Sequence, residues 1–318
     1  MNGKFIISLD FELHWGGVEK WDLQKKKPYF LNTVNYIPEL LGLFQENNIR
    51  CTWATVGFLF SKEKKQLIDF SPKLKPGYYK TELSYYNLIP EIGNNEEEDP
   101  YHYANSLIHS ILNTPGQELA THTFAHYYCN ELGQTVEQFD ADLKAAQGIA
   151  KENYGVELKS LVFPRNQLNA SYLKVAKQNG IRIVRSNPNV WFWHKKFERI
   201  LPYFRALDYL FPISSSLSFD KISKVEGVIC LPASRFFRPF AHREKFIQKL
   251  KLRRIKREMT YAAKHNRNYH LWWHPHNFGN DIKTNSDQLV EILSHFNILR
   301  EKYNFTSFNM GDFLDVMD

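Results

Sequence analysis

Phe5-Ile6-Ile7-Ser8-Leu9-Asp10-Phe11-Glu12-Leu13-His14-Trp15-Gly16-Gly17 starts as an apolar run of strand length and ends in two carboxylates, a histidine and a glycine pair. A strand apolar along its length and polar at its carboxyl end suits an α/β fold, where chemistry sits in the loops after the strands. Asp10 and Glu12 are two apart, so an extended chain sends both side chains to the same side. Two carboxylates held together repel, and a divalent cation is a common reason to tolerate that, although an isolated Asp-x-Glu is more often a pair of solvated acids.

Composition bounds the rest. A chain of 318 residues, 43% hydrophobic and 24% charged, has enough apolar side chains for a sizeable core. The amino terminus runs directly into a strand with no cleavage-site pattern, and no stretch approaches the roughly 18 apolar residues of a membrane span, so a cytoplasmic location is expected. Cys51, Cys129 and Cys230 are odd in number and scattered, which argues against a disulfide framework or a CxxC metal site. The net charge is +7, and the run Arg243–Arg257 carries eight basic residues against the single acid Glu244. The surplus therefore belongs to one segment, and the remainder of the chain is close to neutral.

Alternation of strand and helix patterns continues from the first strand. Helices are expected over 32–48, 136–154 with Thr135 as cap, 170–179 before Gly180, and 286–303. Strands are expected over 49–60, 117–121, 160–163, 181–185, 228–232 and 269–273. Between them, 61–114 is polar and tyrosine-rich. It reads as an insertion with a helix near 101–112 and a solvated acidic loop at 96–99. Leu252, Ile255, Met259 and Ala262 recur at helical spacing, so 243–265 is expected to be an amphipathic helix with a cationic face. No repeat or long linker divides the chain, which predicts one barrel-like domain over 1–318.

Three further clusters carry chemistry. His122-Thr123-Phe124-Ala125-His126 sets two imidazoles at i and i+4, able to face one cation if the backbone is helical there. Thr123 stands where a zincin needs Glu, which excludes that peptidase class. In Phe163-Pro164-Arg165-Asn166-Gln167, at a strand end, Arg165 is available to pair with an acid and hold it ionised. Trp272-Trp273-His274-Pro275-His276 delivers a histidine from an apolar strand into a loop, a position suited to a general acid.

These motifs together resemble the polysaccharide deacetylase family, the NodB-homology or carbohydrate esterase family 4 fold. The resemblance rests on Leu9-Asp10-Phe11-Glu12, Trp53–Gly57, Gly116–His126, Phe163–Asn166 and Trp273–Pro275. It implies a distorted (β/α) barrel of about seven strands and one divalent metal, most often zinc. It further implies His122, His126 and Glu12 as metal ligands, Asp10 as catalytic base, Arg165 as the arginine that orients it, and His274 as the acid. Trp15, Asn166, Trp273 and His276 are expected to line the substrate. Departures from the family pattern are the Phe11 between the acids, the arginine after instead of before Pro164, and Asn187–Trp191 where an aspartate-tryptophan motif stands in most members. The expected activity is removal of N-acetyl groups from an amino-sugar glycan or its precursor. Hydrolysis of a non-sugar amide and a catalytically silent glycan-binding protein are the alternatives. An anionic membrane surface or lipid-linked glycan is the partner expected for Arg243–Arg257, and no nucleic-acid motif accompanies that charge.

Overall fold

The computed structural model describes residues 2–188 and 216–317. All seven strands expected from the sequence are present: β1 (Lys4–Phe11), β2 (Cys51–Thr55), β3 (Gln117–Thr121), β4 (Ser160–Leu161), β5 (Ile183–Ser186), β7 (Val228–Pro232) and β9 (Tyr269–Trp273). Three short ones join them, β6 (Ser223–Val225), β8 (Arg235–Phe236) and β10 (Thr306–Phe308), to make a sheet of ten. The order is β6-β7-β5-β4-β3-β2-β1-β9-β8, with β10 on β1. Every pairing is parallel except that of β6 with β7. The fold is a mixed α/β open barrel.

β1 is its axis, pairing with β2 along Ile7–Phe11, with β9 along Phe5–Leu9 and with β10 along Lys4–Ile6. The period-2 pleat divides its side chains. Phe5, Ile7, Leu9 and Phe11 pack outward into the main apolar cluster with α1 (Leu23–Glu46) and α7 (Ile282–Tyr303). Ile6 joins an inner cluster with Ala54, Ala120, Val162 and Ile183, which fills the bottom of the barrel. Above it come Ser8 and Asp10, so the interior grades from apolar to ionic toward the carboxyl ends of the strands.

The other helices are α2 (Lys64–Phe70), α3 (Asn105–Asn113), α4 (Val136–Tyr154), α5 (Ala170–Gln178), α6 (Gln248–Lys264) and α8 (Asp312–Met317). Helix α4 matches its expected bounds because Thr135 and Gln138 form a reciprocal capping box and Gly155 ends the helix in the left-handed region. Helix α1 begins at Leu23 rather than Asn32, since Asp22 caps it through Gln24 N–H. The strand expected over 49–60 stops at Thr55, and Gly57–Phe60 turn as a 3-10 segment.

The expected excursion 61–114 returns to the core: Tyr85, Tyr86, His102 and Tyr103 are all buried. Its acidic run is not simply a solvated loop, because Asp99 is buried and accepts from Gly93 N–H and binds His102 at 2.8 Å. In the expected basic helix, residues His242–Ile247 form a 3-10 lead-in and α6 starts at Gln248, burying Leu252, Ile255, Met259 and Ala262. No helix among the described residues is long and apolar enough to cross a membrane.

Candidate metal and catalytic site

The carboxyl ends of β1, β3, β5 and β9 converge on one ionic cluster. Glu12, one residue past β1, directs Oε1 to within 3.0 Å of His122 Nε2 and 3.2 Å of His126 Nε2. The three residues are buried, and one ligand atom from each lies within 4.8 Å of the others. The His122–His126 segment is not helical, as i, i+4 spacing had suggested. It leaves β3 as an irregular turn in which Thr123 and His126 have positive φ (66° and 55°), a costly conformation for such residues.

Neighbours hold that turn in place. Asp142 on α4 accepts from the backbone N–H of Phe124 and Ala125 at 2.6 and 3.0 Å, and burial pushes its carboxyl up to about 7. Gly57 and Phe58 donate backbone N–H to the carbonyls of Thr123 and Phe124. A Cβ at Gly57 would stand 2.7 Å from Phe124 Cα, which explains the glycine at the end of Trp53–Gly57.

The donor set suits a divalent cation. One carboxylate oxygen and two imidazole nitrogens are the chemistry of a catalytic zinc-type site. Both ring nitrogens of His122 are buried without a well-formed hydrogen bond, although its Nε2 stands 3.0 Å from Glu12 Oε1. Such an orphan is expensive unless something else engages it. Around the second histidine, His126 Nδ1 meets Tyr128 Oη at 2.9 Å, Tyr128 Oη meets Tyr85 Oη at 2.7 Å, and Tyr85 donates to Glu19. Read as donors ending on that carboxylate, the chain puts the His126 proton on Nδ1 and leaves Nε2 free to ligate.

Gly16 is fitted to this cluster. A Cβ there would lie 1.9 Å from Glu12 Oε2 and 2.7 Å from its Cδ. Gly16→Ala is therefore expected to displace the carboxylate and weaken zinc binding about tenfold or more, with little change in thermal unfolding. Calorimetric zinc titration checks this, and unchanged affinity would remove Glu12 from the ligand set.

Asp10 lies inside the barrel beside the cluster, but its arginine is not Arg165. Arg185, from β5 on the far side of the barrel, makes a two-pronged pair with it at 2.6 and 2.7 Å, with both side chains almost wholly buried. Burial is the largest influence on the Asp10 carboxyl and raises it, but the Arg185 guanidinium together with His122 and His274 outweighs it, so the group sits below its ordinary value. Arg165 instead points outward to Glu19 and Glu131 and stacks over the Tyr128 ring. The reason is local: Arg165 and Asn166 both have φ 52°, and this turn after Pro164 sends the arginine out and the asparagine in. Asn166 Oδ1 then accepts from Arg185 at 2.9 Å, so Asn166 positions the arginine at the site edge.

A second layer supports Arg185. It donates to Ser8 Oγ at 3.1 Å, Ser8 meets His270 Nε2 at 2.8 Å, and His270 Nδ1 reaches the Pro232 carbonyl at 3.1 Å. With Nδ1–H donating to the carbonyl, Nε2 accepts from Ser8, so the neutral ring satisfies every partner. Burial, then the Arg185 charge, lowers His270 to about 3. A histidine depressed from about 6.5 contributes stability that is complete above that pH and is lost as pH falls toward 3. His270→Gln is expected to flatten the acid side of the stability profile between pH 6 and 4 by up to about 1.4 kcal/mol per pH unit. Urea unfolding across that range measures it, and an unchanged slope would contradict the neutral assignment.

His274 is the open member of the cluster, with its side chain 24% exposed and Nε2 at 3.7 Å from both Asp10 Oδ2 and Glu12 Oε1. Asn277 Nδ2 faces its Nδ1 at 3.2 Å; an amide N–H only donates, so the neutral ring carries its proton on Nε2, toward the cluster. Trp272 underlies both Arg185 and His274.

Three expected substrate contacts are corrected. Trp15 is fully buried and donates to the His102 carbonyl at 2.9 Å. Trp273 points to the opposite face of β9 from His274 and stacks on Phe278 inside the outer core. His276 is buried behind Glu12 among Trp21, Tyr29 and Phe30, with Nδ1 4.0 Å from Glu12 Oε2. Sequence reasoning missed Arg185, Ser8, His270, Asp142, Glu19, Tyr85 and Tyr128. Of the Asn187–Trp191 stretch, residues 189–191 lie outside the described residues.

Comparison with known proteins bears on the fold and the family. Residues 28–184 match the polysaccharide deacetylase family model, a span that includes both histidines of the turn but not Asp10, Glu12 or His274. A Mycobacterium smegmatis structure assigned to the polysaccharide deacetylases superposes with a TM-score of 0.62 at 12% identity, covering 99% of this chain and 89% of its own. One from Pseudomonas aeruginosa PAO1, similarly assigned, gives 0.55 at 8% identity over 97% of this chain and 87% of that one. The α-amylase AmyC of Thermotoga maritima gives 0.57 at 11% identity, covering 100% and 75%, so the fold is shared beyond deacetylases. No curated protein matches the chain by sequence.

Proposed function

We propose, on the match of residues 28–184 to the polysaccharide deacetylase family model, that the chain is a metal-dependent hydrolase that removes N-acetyl groups from an amino-sugar glycan or its precursor. The observation that carries this reading is the convergence of Glu12, His122 and His126 with an ionised Asp10 and an open, Nε2-protonated His274.

A divalent cation held by Glu12, His122 and His126, with zinc favoured by the N,N,O donor set, would supply Lewis-acid polarisation of the acetamide carbonyl and of the attacking water. The side chains of the chain do the rest. Asp10, kept ionised by Arg185, takes a proton from the water as its oxygen bonds to the carbonyl carbon. His274, protonated on both ring nitrogens with the Asn277 amide turned so that Oδ1 accepts from Nδ1–H, gives its Nε2 proton to the amide nitrogen as the C–N bond breaks and returns to the neutral ring, leaving acetate and a free sugar amine. Ser8, Asn166 and His270 do not touch substrate in this account and fix the Arg185–Asp10 pair. The three cysteines are free and buried, which supports a reducing, cytoplasmic setting.

Acetate release from N-acetylated chito-oligosaccharides and from N-acetylated glycan fragments, with zinc supplied, tests the proposal. Zinc-dependent release that is abolished in Asp10→Asn supports it. Sugar binding without release would favour a silent glycan-binding protein, and release only from non-sugar acetamides would replace the substrate class.

A further inference from the structure

The 3-10 lead-in His242–Ile247 and helix α6 present a face that the barrel does not use. On it Phe246 is 94% exposed, Leu250 50% and Tyr261 44%, values that mark outward-facing apolar side chains and not the edge of a core. The cations around them divide into two groups. Lys251 is paired with Glu244, and Lys256 with Glu291. Arg243, Lys245, Lys249, Arg253, Arg257 and Lys264 are exposed and have no carboxylate partner among the described residues.

Helical spacing puts Leu250, Arg253, Arg257, Tyr261 and Lys264 along one stripe, at steps of three or four residues, and Phe246 precedes it in the 3-10 lead-in. The opposite face, Leu252, Ile255, Met259 and Ala262, is buried against the barrel. The exposed face therefore combines aromatic and aliphatic groups with cations that have no carboxylate partner among the described residues. A concavity of about 970 Å³ opens along it beside Arg253, Arg257, Tyr261, Lys264 and Arg267.

We infer that this face docks the protein on an anionic lipid bilayer, with Phe246 and Leu250 entering the headgroup boundary and the unpaired cations meeting lipid phosphates. Charge complementarity selects the occupant. Cations interleaved with exposed apolar side chains match an interface that is anionic at its surface and apolar beneath. An acidic protein or a nucleic acid would use the charges but leave Phe246 and Leu250 unexplained.

Topology adds a consequence. Strands β8 and β9 are parallel, so the helix connecting them runs back from the carboxyl ends of the strands. Phe246 and Leu250 stand at the start of that connection, at the same end of the barrel as Glu12 and His274. Docking thus brings the rim of the site to the bilayer surface, where an acceptor carried on a membrane lipid is within reach.

Co-sedimentation with phosphatidylcholine vesicles, with and without phosphatidylglycerol, tests the docking. Binding is expected only with phosphatidylglycerol and should weaken at high salt. It should fall about fivefold for each of Arg253→Gln and Arg257→Gln, and tenfold or more for the pair Phe246→Ser and Leu250→Ser. All four positions are exposed, so circular dichroism should show unchanged folding. Asp10→Asn should bind vesicles as the parent chain does, which separates docking from the proposed chemistry. Absence of binding to phosphatidylglycerol vesicles would overturn the inference. So would equal binding to neutral vesicles, indifference to the four substitutions, or retention on single-stranded RNA in preference to vesicles.

Discussion

Arg185→Gln is expected to destabilise the protein by about 3–5 kcal/mol and to lower acetate release by about 100-fold or more, whereas Arg165→Gln should do neither. The asymmetry follows from where the two arginines go. Arg185 is buried and holds both oxygens of Asp10, so its loss strands a carboxylate in the barrel interior. Arg165 is partly exposed and pairs near the surface with Glu19 and Glu131, where an ion pair contributes little. The pH dependence has a fixed sign. With Arg185 gone, burial loses its largest opponent and the Asp10 carboxyl rises, so the acid limb of any activity profile moves to higher pH. Asp10→Asn in the Arg185→Gln background should recover part of the lost stability, because the stranded charge is gone. Equal destabilisation by the two arginine variants would refute the assignment.

The second large effect belongs to His274→Ala, for which turnover should fall by about 100-fold to 10,000-fold while zinc content stays at the parent level. Its Nε2 lies 3.7 Å from Glu12 and Asp10, with which it forms a second, looser group of potential ligands beside the tighter Glu12–His122–His126 group, and its side chain is the most open of the cluster. His122→Ala should lose both metal and turnover. Zinc lost from His274→Ala would make that residue a ligand and leave the leaving group without its proton donor.

Much of this site was legible because its parts fall at strand ends. The parity of β1 put Asp10 and Glu12 on one side, and the structure points Asp10 inward with Phe11 against Trp53 on the outer face. The same parity along β9 places His270, Trp272 and His274 inward and Leu271 and Trp273 outward. Trp273 was thus readable as core, and proximity to a motif misdirected its assignment. Arg185 was harder. It meets Asp10 across the barrel from a strand 175 residues away, a contact set by closure of the sheet and not by local pattern. A signal did exist: an arginine in the short apolar strand Ile183–Ser186 needs a buried carboxylate partner. The His122–His126 turn shows the converse. Its ligands meet through an irregular backbone held by Asp142 and Gly57, so the spacing pointed to the cluster but not to its conformation.

The central claim is that Glu12, and not Asp10, completes the metal site with His122 and His126. Plasma mass spectrometry on tag-free protein reconstituted with zinc tests it across the parent chain, Glu12→Ala, His122→Ala and Asp10→Asn. About one ion per chain is expected in the parent and in Asp10→Asn, and none in the other two. Zinc retained by Glu12→Ala and lost from Asp10→Asn, or absent from the reconstituted parent, would contradict it.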